Sequence, residues 1–180
     1  MKKLVCLMLV ALVCTVASAA TMTYSGPATI DLNSTATISL IADADLTATM
    51  AISITASNGS VTLGTLNPLI NSLASAGVLR DGTYMDIWIS KVAGGVTLGS
   101  PVAAGQALYT FNIDSTGLVA GDVITLGSFV GTGAPWGGSG MTLKFNAANA
   151  TMTPFDVTVV PEPMTVALLG LGGLFIRRRK

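Results

Sequence analysis

Carboxylates and indoles are the side chains of this sequence whose types and spacing could support chemistry. Asp43 and Asp45 form the closest acidic pair, separated by one residue at the end of an alternating apolar segment. Three roles are open to them. They could accept backbone N–H groups in a turn, hold Ca²⁺ together with loop carbonyls, or act as two catalytic acids, which requires carboxylates facing each other about 5 to 10 Å apart.

The other common catalytic groups are missing from most of the chain. The sequence has no histidine, and Cys6 and Cys14 both lie close to the N-terminus. A Ser-His-Asp site, a Cys-His site and a zinc site of the usual nitrogen and sulfur ligands are therefore excluded after residue 19. We predict that the protein is not an enzyme and has no catalytic residues or cofactor, with Ca²⁺ at Asp43 and Asp45 as the one candidate metal.

Two tryptophans indicate a different class of function. Trp88 alternates with Ile87 and Ile89, so it points away from a core that contains these isoleucines, while Trp136 lies in the glycine-rich segment 131–140. An exposed indole offers a flat apolar face that can stack on a sugar ring; the alternative is an indole covered by a neighbouring loop. Trp88 and Trp136 are thus candidate residues for binding carbohydrate such as an exopolysaccharide.

The N-terminus has the composition of an export signal. Lys2 and Lys3 precede the apolar residues 4–16, and the small residues Ala17, Ser18 and Ala19 follow. Such an apolar run is too short for a membrane span, which needs about 20 residues. We predict a signal peptide over residues 1–19, cut by signal peptidase between Ala19 and Ala20.

The C-terminus, residues 160–180, has a second unusual composition. Pro161, Glu162 and Pro163 precede a glycine-interrupted apolar run, residues 164–176, and the chain then closes with basic residues. As a helix the 13-residue run would reach about 20 Å, against a hydrocarbon core of about 30 Å. It is a poor permanent span. The basic anchor, which would stay on the cytoplasmic side, consists of Arg177, Arg178, Arg179 and Lys180.

This order of a Pro-Glu-Pro triplet, a short hydrophobic helix and a basic tail resembles the PEP-CTERM sorting signal. The resemblance implies a Gram-negative host, transient anchoring in the inner membrane, and cleavage or transfer near residues 161–163 by an exosortase. It further implies final delivery to the cell surface or the extracellular matrix.

The region between the two signals is acidic. Residues 20–163 contain nine acidic and three basic residues, which gives a net charge of −6. Nucleic acid is excluded as a partner because its binding depends on Lys and Arg neutralising phosphates.

Residues 20–159 have the side-chain period of β-strands. Apolar and polar residues alternate over residues 36–40, 48–54, 85–89 and 109–113, and further strands are predicted at 123–129, 141–145 and 155–159. Asn58 and Gly59 predict a hairpin because both residues accept positive φ, and Gly94 with Gly95 predicts a second. Residues 68–76 could hold a short helix.

Seven to nine short strands with regular turn signals predict one all-β domain, an antiparallel β-sandwich. The stretches ATISLIADA (36–44), MAISITA (50–56), ALYTFNI (107–113) and GLVAGDVITL (117–126) resemble the cohesin and carbohydrate-binding-module type of sandwich, and a jelly roll is the alternative topology. We therefore expect an exported, non-enzymatic sandwich that is sorted to the cell surface, with a carbohydrate-binding module as the alternative.

Overall fold

The domain is a two-layer β-sandwich, which confirms the predicted fold class. The computed structural model describes residues 19–70, 75–80, 84–93, 96–97, 99–128, 143–146, 148–162, 168–169 and 171. Of residues 75–80, 84, 92–93 and 96–97 it describes the backbone only. Nine of the fifteen strands in this part of the chain contain five residues or more, in agreement with the predicted number.

The strands belong to a five-stranded sheet, sheet A, an eight-stranded sheet, sheet B, and one small separate hairpin. Sheet A contains β1 (Thr21–Ser25), β3 (Thr35–Ala42), β5 (Ser60–Leu66), β10 (Ala107–Asp114) and β14 (Thr151–Met152). Sheet B contains β2 (Thr29–Asp31), β4 (Thr49–Ala56), β6 (Ser75–Arg80), β7 (Tyr84–Ser90), β11 (Val123–Ser128), β12 (Lys144–Phe145), β13 (Ala148–Asn149) and β15 (Phe155–Val160). The hairpin is formed by β8 (Val92–Ala93) and β9 (Val96–Thr97).

Sheet A has the order β14-β1-β3-β10-β5, and sheet B has the order β13-β12-β4-β11-β15-β2. In sheet B, β12 and β11 pair with different parts of one edge of β4, and β7, followed by β6, pairs with the other edge. Most pairings are antiparallel, as predicted. The pairings of β1 with β14 and of β15 with β2 are parallel. These two parallel pairs join strands from opposite ends of the chain, which alternation within single strands could not reveal.

The core lies between the sheets and follows the predicted alternation. Ile38 and Leu40 of β3 in sheet A and Ile52 and Ile54 of β4 in sheet B belong to one hydrophobic cluster, and all four side chains are fully buried. Tyr24 joins the layers, because its hydroxyl donates to the carbonyl of Gly127 in sheet B at 2.7 Å. Burial raises the pKa of this phenol well above its ordinary value, so the hydroxyl stays protonated and remains a donor.

The hairpin predicted at Asn58 and Gly59 is wrong. These residues leave β4 in sheet B and enter β5 in sheet A, so the strands on either side of the turn do not pair with each other. Gly59 has a φ of +69°, but Asn58 is not in the positive-φ region that a two-residue type I′ hairpin requires. The Asn58 side chain donates to the carbonyl of Val123 at 2.9 Å, which supports a crossing between the layers instead.

Two other local predictions had different outcomes. β8 and β9 pair around residues 94–95, which themselves lie outside the described residues, so the second predicted hairpin is confirmed by the pairing of its strands. The short helix predicted over 68–76 is wrong at its end, because Ser75 and Ala76 belong to β6. Their pairing within sheet B outweighs a local sequence that is compatible with a helix.

A bulge in sheet A requires a glycine. The register between β5 and β10 shifts at Gly64, where an added Cβ would overlap the carbonyl oxygen of Thr110. The N–H of Gly64 donates to the hydroxyl of Tyr109 at 2.7 Å, and Tyr109 stacks on Phe111 with ring centroids 6.2 Å apart. The bulge thus places the amide of Gly64, in the edge strand β5, within hydrogen-bonding distance of the buried Tyr109 hydroxyl.

Candidate functional site

Asp43 and Asp45 lie at the end of the sandwich where β1 begins. We call this end the N-terminal pole, and it comprises residues 20–21, 43–48, 67–70, 91, 99–106 and 143–146. Asp43 Oδ1 accepts the N–H of Thr21 at 2.8 Å, and Asp45 Oδ1 accepts the N–H of Ala104 at 2.8 Å. The two exposed carboxylates therefore accept backbone amides, but from segments distant in sequence and not from the neighbouring residues of a turn.

Asn146 organises the same loops. Its Oδ1 accepts the N–H groups of Thr47 and Ala48, both at 2.9 Å, and its Nδ2 donates to the carbonyl of Asp45 at 2.7 Å. Asn146 has a φ of 50°, a left-handed conformation that Asn adopts more readily than most residues. Asn146 thus holds the segment that carries Asp45 against the end of β12.

Lys91 is the main polar residue of this pole that the sequence interpretation missed. Its side chain is fully buried, and Nζ donates to the carbonyls of Leu69 and Ser100 at 3.0 and 2.6 Å. Burial lowers the pKa of this amine. A signal was present in the sequence, because Lys91 continues the inward positions Ile87 and Ile89 and so points into the sandwich.

Trp88 lies on the outer face of sheet B and is half-buried. Ile87 and Ile89 on either side of it are fully buried, as the alternation predicted. The flanking outward positions are more covered than expected: Asp86 is 3% exposed, and the hydroxyl of Ser53 donates to its Oδ1 at 2.5 Å. Trp136 lies outside the described residues, so a face shared by the two tryptophans stays a prediction.

The opposite end of the sandwich, where β15 ends, is the C-terminal pole, and it comprises residues 31–34, 57–59 and 115–122. Ser115 is fully buried there, and its hydroxyl donates to the carbonyl of Asp31 at 2.7 Å and accepts the N–H of Ser34 at 3.0 Å. Pro161 and Glu162 follow β15 directly and are exposed. Ser115 also escaped the sequence interpretation, since an isolated serine in a glycine-rich turn has no distinguishing pattern.

The remaining predicted residues lie at or beyond the limits of the described chain. Ala19 is exposed, and Ala20 is half-buried with its carbonyl accepting the N–H of Thr151 at 3.0 Å. Residues outside the described part are Ala17, Pro163, Arg177, Arg178, Arg179 and Lys180. No helix among the described residues has the length and apolar character needed to cross a membrane.

The described residues also contain no group of three or more His, Cys, Asp or Glu side chains arranged to hold a metal ion. Ca²⁺ at Asp43 and Asp45 would therefore have to be completed by carbonyls and water. Each of these carboxylates already has one oxygen bonded to a backbone amide.

Comparison with solved structures identifies the architecture as cohesin-like. A cohesin module from a Clostridium perfringens family 33 glycoside hydrolase is similar with a TM-score of 0.54 at 10% sequence identity, over 80% of this chain and 98% of the module. The sixth cohesin of Acetivibrio cellulolyticus scaffoldin B, in complex with a mutant Cel5 dockerin, is similar with a TM-score of 0.49 at 11% identity, over 79% of this chain and 99% of the cohesin. No protein-family model and no curated protein matches the sequence.

Proposed function

We propose that this protein is an exported, non-catalytic β-sandwich binding module. In this proposal signal peptidase removes residues 1–19, residues 160–180 anchor the chain transiently in the inner membrane, and an exosortase processes the Pro161, Glu162 and Pro163 triplet. The product is delivered to the cell surface or the extracellular matrix. The cohesin-like fold supports a binding role, with another extracellular protein as the partner class.

One observation carries the proposal: the folded domain fills the span between the two predicted cuts. β1 begins at Thr21, one residue after Ala20, and β15 ends at Val160, one residue before Pro161. Removal of both flanking segments would therefore leave every described strand in place.

The use of the carboxylates supports a non-catalytic role. Besides Asp43 and Asp45, three further acids bond to neighbouring amides or hydroxyls at the surface, so none is held free in a cleft. Their partners are the N–H of Thr116 for Asp114, the N–H of Val119 for Asp122 and the hydroxyl of Thr125 for Asp156. These acids are exposed or half-buried, and the one buried acid described above, Asp86, accepts the hydroxyl of Ser53.

The sorting proposal is tested with two variants of the full chain carrying an epitope tag in the exposed turn around Gly105. Changing Pro161, Glu162 and Pro163 to alanine should leave an uncut precursor in the membrane fraction, because the proline-stiffened segment is lost. Changing residues 177–180 to serine should instead release an unprocessed protein, because the cytoplasmic anchor is lost. Processing and localisation of both variants like the parent would refute the proposal.

Carbohydrate binding is the second candidate, and the partial exposure of Trp88 between fully buried neighbours favours it. If the indole stacks on a sugar, Trp88→Ala should weaken polysaccharide affinity about tenfold, since one stacked aromatic contributes about 1 to 3 kcal/mol in comparable platforms. Glycan-array binding measures the affinity, and an unchanged far-UV spectrum shows that the fold is intact. Equal binding by parent and variant would exclude Trp88 from the site.

A further inference from the structure

The folded domain ends without a linker at the predicted processing motif. Val160 is the last residue of β15 and pairs with Asp31 of β2. Its carbonyl accepts the N–H of Leu32 at 2.9 Å, so the peptide group that precedes Pro161 is itself part of the sheet. Any enzyme that cuts within residues 161–163 must therefore work one to three residues from a hydrogen-bonded strand.

The loops around this exit are fixed to the strand and to each other. The N–H of Gly121 donates to the carbonyl of Val159 at 2.8 Å, and the N–H of Val159 donates to the carbonyl of Asp122 at 2.8 Å. Ser115 joins the loop 115–122 to the loop 31–34 through its buried hydroxyl. These hydrogen bonds fix the loops of the C-terminal pole to β15 and therefore next to Pro161.

An aliphatic side chain projects from this surface. Val119 is 64% exposed, and its N–H is held by Asp122 Oδ2 at 2.9 Å. It stands between two turns at Gly117 and Gly121, whose φ values are 84° and 96°. Burial of this side chain against a partner would remove apolar surface from water, which is favourable.

Chain length brings the pole close to the membrane. Three residues lie between Val160 and Met164, where the apolar run begins, so the Cα atoms of Val160 and Met164 can be about 14 Å apart at most. The polar headgroup layer occupies about 5 to 8 Å of that distance on each side of the bilayer. While residues 164–176 are held in the membrane, a processing enzyme must approach residues 161–163 in the narrow space beside the C-terminal pole.

The charge of the pole favours a protein over the lipid surface as its partner. Asp31 and Asp122 of the pole are acidic, as is Glu162 beside it, and residues 31–34, 57–59 and 115–122 contain neither Lys nor Arg. Surfaces that bind anionic lipid carry clusters of basic residues instead. We infer that the C-terminal pole, with Val119 at its tip, is the docking surface for the membrane-embedded enzyme that processes the motif; this inference rests on the sorting function proposed above.

The test compares four full-length chains by pulse-chase in the native host: the parent, Val119→Lys, a chain with eight Gly and Ser residues inserted between Val160 and Pro161, and the combination of both changes. Val119→Lys should slow conversion of precursor to product about fivefold, the size expected for loss of a central interface contact. In the chain with the inserted residues, Val119→Lys should have no further effect, because the pole no longer sits beside the motif. Leu63→Lys, at an exposed leucine of sheet A, is the matched control and should be processed like the parent.

Each outcome decides the matter. The docking surface is overturned if Val119→Lys is processed like the parent, or if it slows processing equally with and without the inserted residues. Limited proteolysis of each precursor is the control, because a resistant precursor shows that slowing is not caused by unfolding. Flotation of the processed protein with phosphatidylglycerol-containing vesicles in a Val119-dependent manner would identify lipid as the partner and would also overturn it. Normal processing after replacement of the triplet by alanines refutes the sorting function itself, whereas triplet-dependent processing that ignores Val119 refutes the docking surface alone.

Discussion

The two poles of the sandwich hold their loops by different physical means. The N-terminal pole uses a buried cation, Lys91, which donates to two loop carbonyls, whereas the C-terminal pole uses a neutral hydroxyl, Ser115, which bridges two loops. Loss of the lysine side chain leaves two loop carbonyls without their donor and empties the volume of a long side chain, whereas loss of the serine hydroxyl removes one small polar group. The N-terminal pole should therefore respond more strongly to loss of its central group.

The largest effect is expected for Lys91→Ala. The change leaves the carbonyls of Leu69 and Ser100 without the ammonium and opens a cavity, so it should lower the free energy of unfolding by about 3 kcal/mol. Urea denaturation measures the loss. Lys144→Ala is the matched control, because this lysine is only half-buried and its Nζ donates to the side-chain oxygen of Asn149 at 2.5 Å. It should cost less than about 1 kcal/mol. Equal effects of the two substitutions would show that burial of Lys91 has no special role.

A smaller effect is expected for Ser115→Ala at the opposite pole. The variant loses one donated and one accepted hydrogen bond without a large cavity, so the free energy of unfolding should fall by about 1 to 2 kcal/mol. Hydrogen exchange should rise in residues 31–34 and 115–122 and stay unchanged in residues 99–106. The exposed Ser25 provides a control, since Ser25→Ala should be neutral. Increased exchange at both poles would contradict the independence of the two ends.

The smallest effect is expected for Asp114→Asn, and only its pH dependence should distinguish it. Hydrogen bonds from the side chain and the backbone of Thr116 hold the pKa of Asp114 below its ordinary value. A carboxyl with a lowered pKa stabilises the fold above the unfolded-state pKa of about 3.9 and loses this contribution as the pH falls through the folded-state pKa. The urea midpoints of parent and variant should therefore differ at pH 6 and converge as the pH falls through the lowered folded-state pKa of Asp114. A constant difference across this range would mean that ionisation of Asp114 does not contribute.

Alternation located the long strands because each has one face in the core, and the same rule places Lys91 inward. What alternation cannot encode is which strands become neighbours. The Asn58 and Gly59 turn satisfies the local composition of a hairpin, yet β4 and β5 belong to different sheets because each finds longer pairing elsewhere. Partner choice in a sandwich is decided by burial of whole faces, a property of the complete chain.

The candidate sites divide in the same way. Asp43 and Asp45 accept backbone amides, as Asp often does in turns, but the amides come from Thr21 and Ala104, and these distant partners could not be predicted from local sequence. The buried environment of Asp86 could not be predicted, because its position in β7 has outward parity and only tertiary packing covers it. Ser115 depends on two loops meeting, so its sequence neighbours contain no trace of its role.

The parallel pairing of β2 with β15 also sets an order of events in time. Thr29 of β2 pairs with Thr158 of β15, and Thr21 of β1 pairs with Thr151 of β14. A chain that emerges from its N-terminus, from a ribosome or from a translocation channel, cannot close either pair until nearly all of the domain has emerged. Non-local pairing of this kind slows folding and keeps the earlier strands exposed in the meantime. Completion of the sandwich is therefore a late event, because it requires residues 155–160 to have emerged and paired with β2.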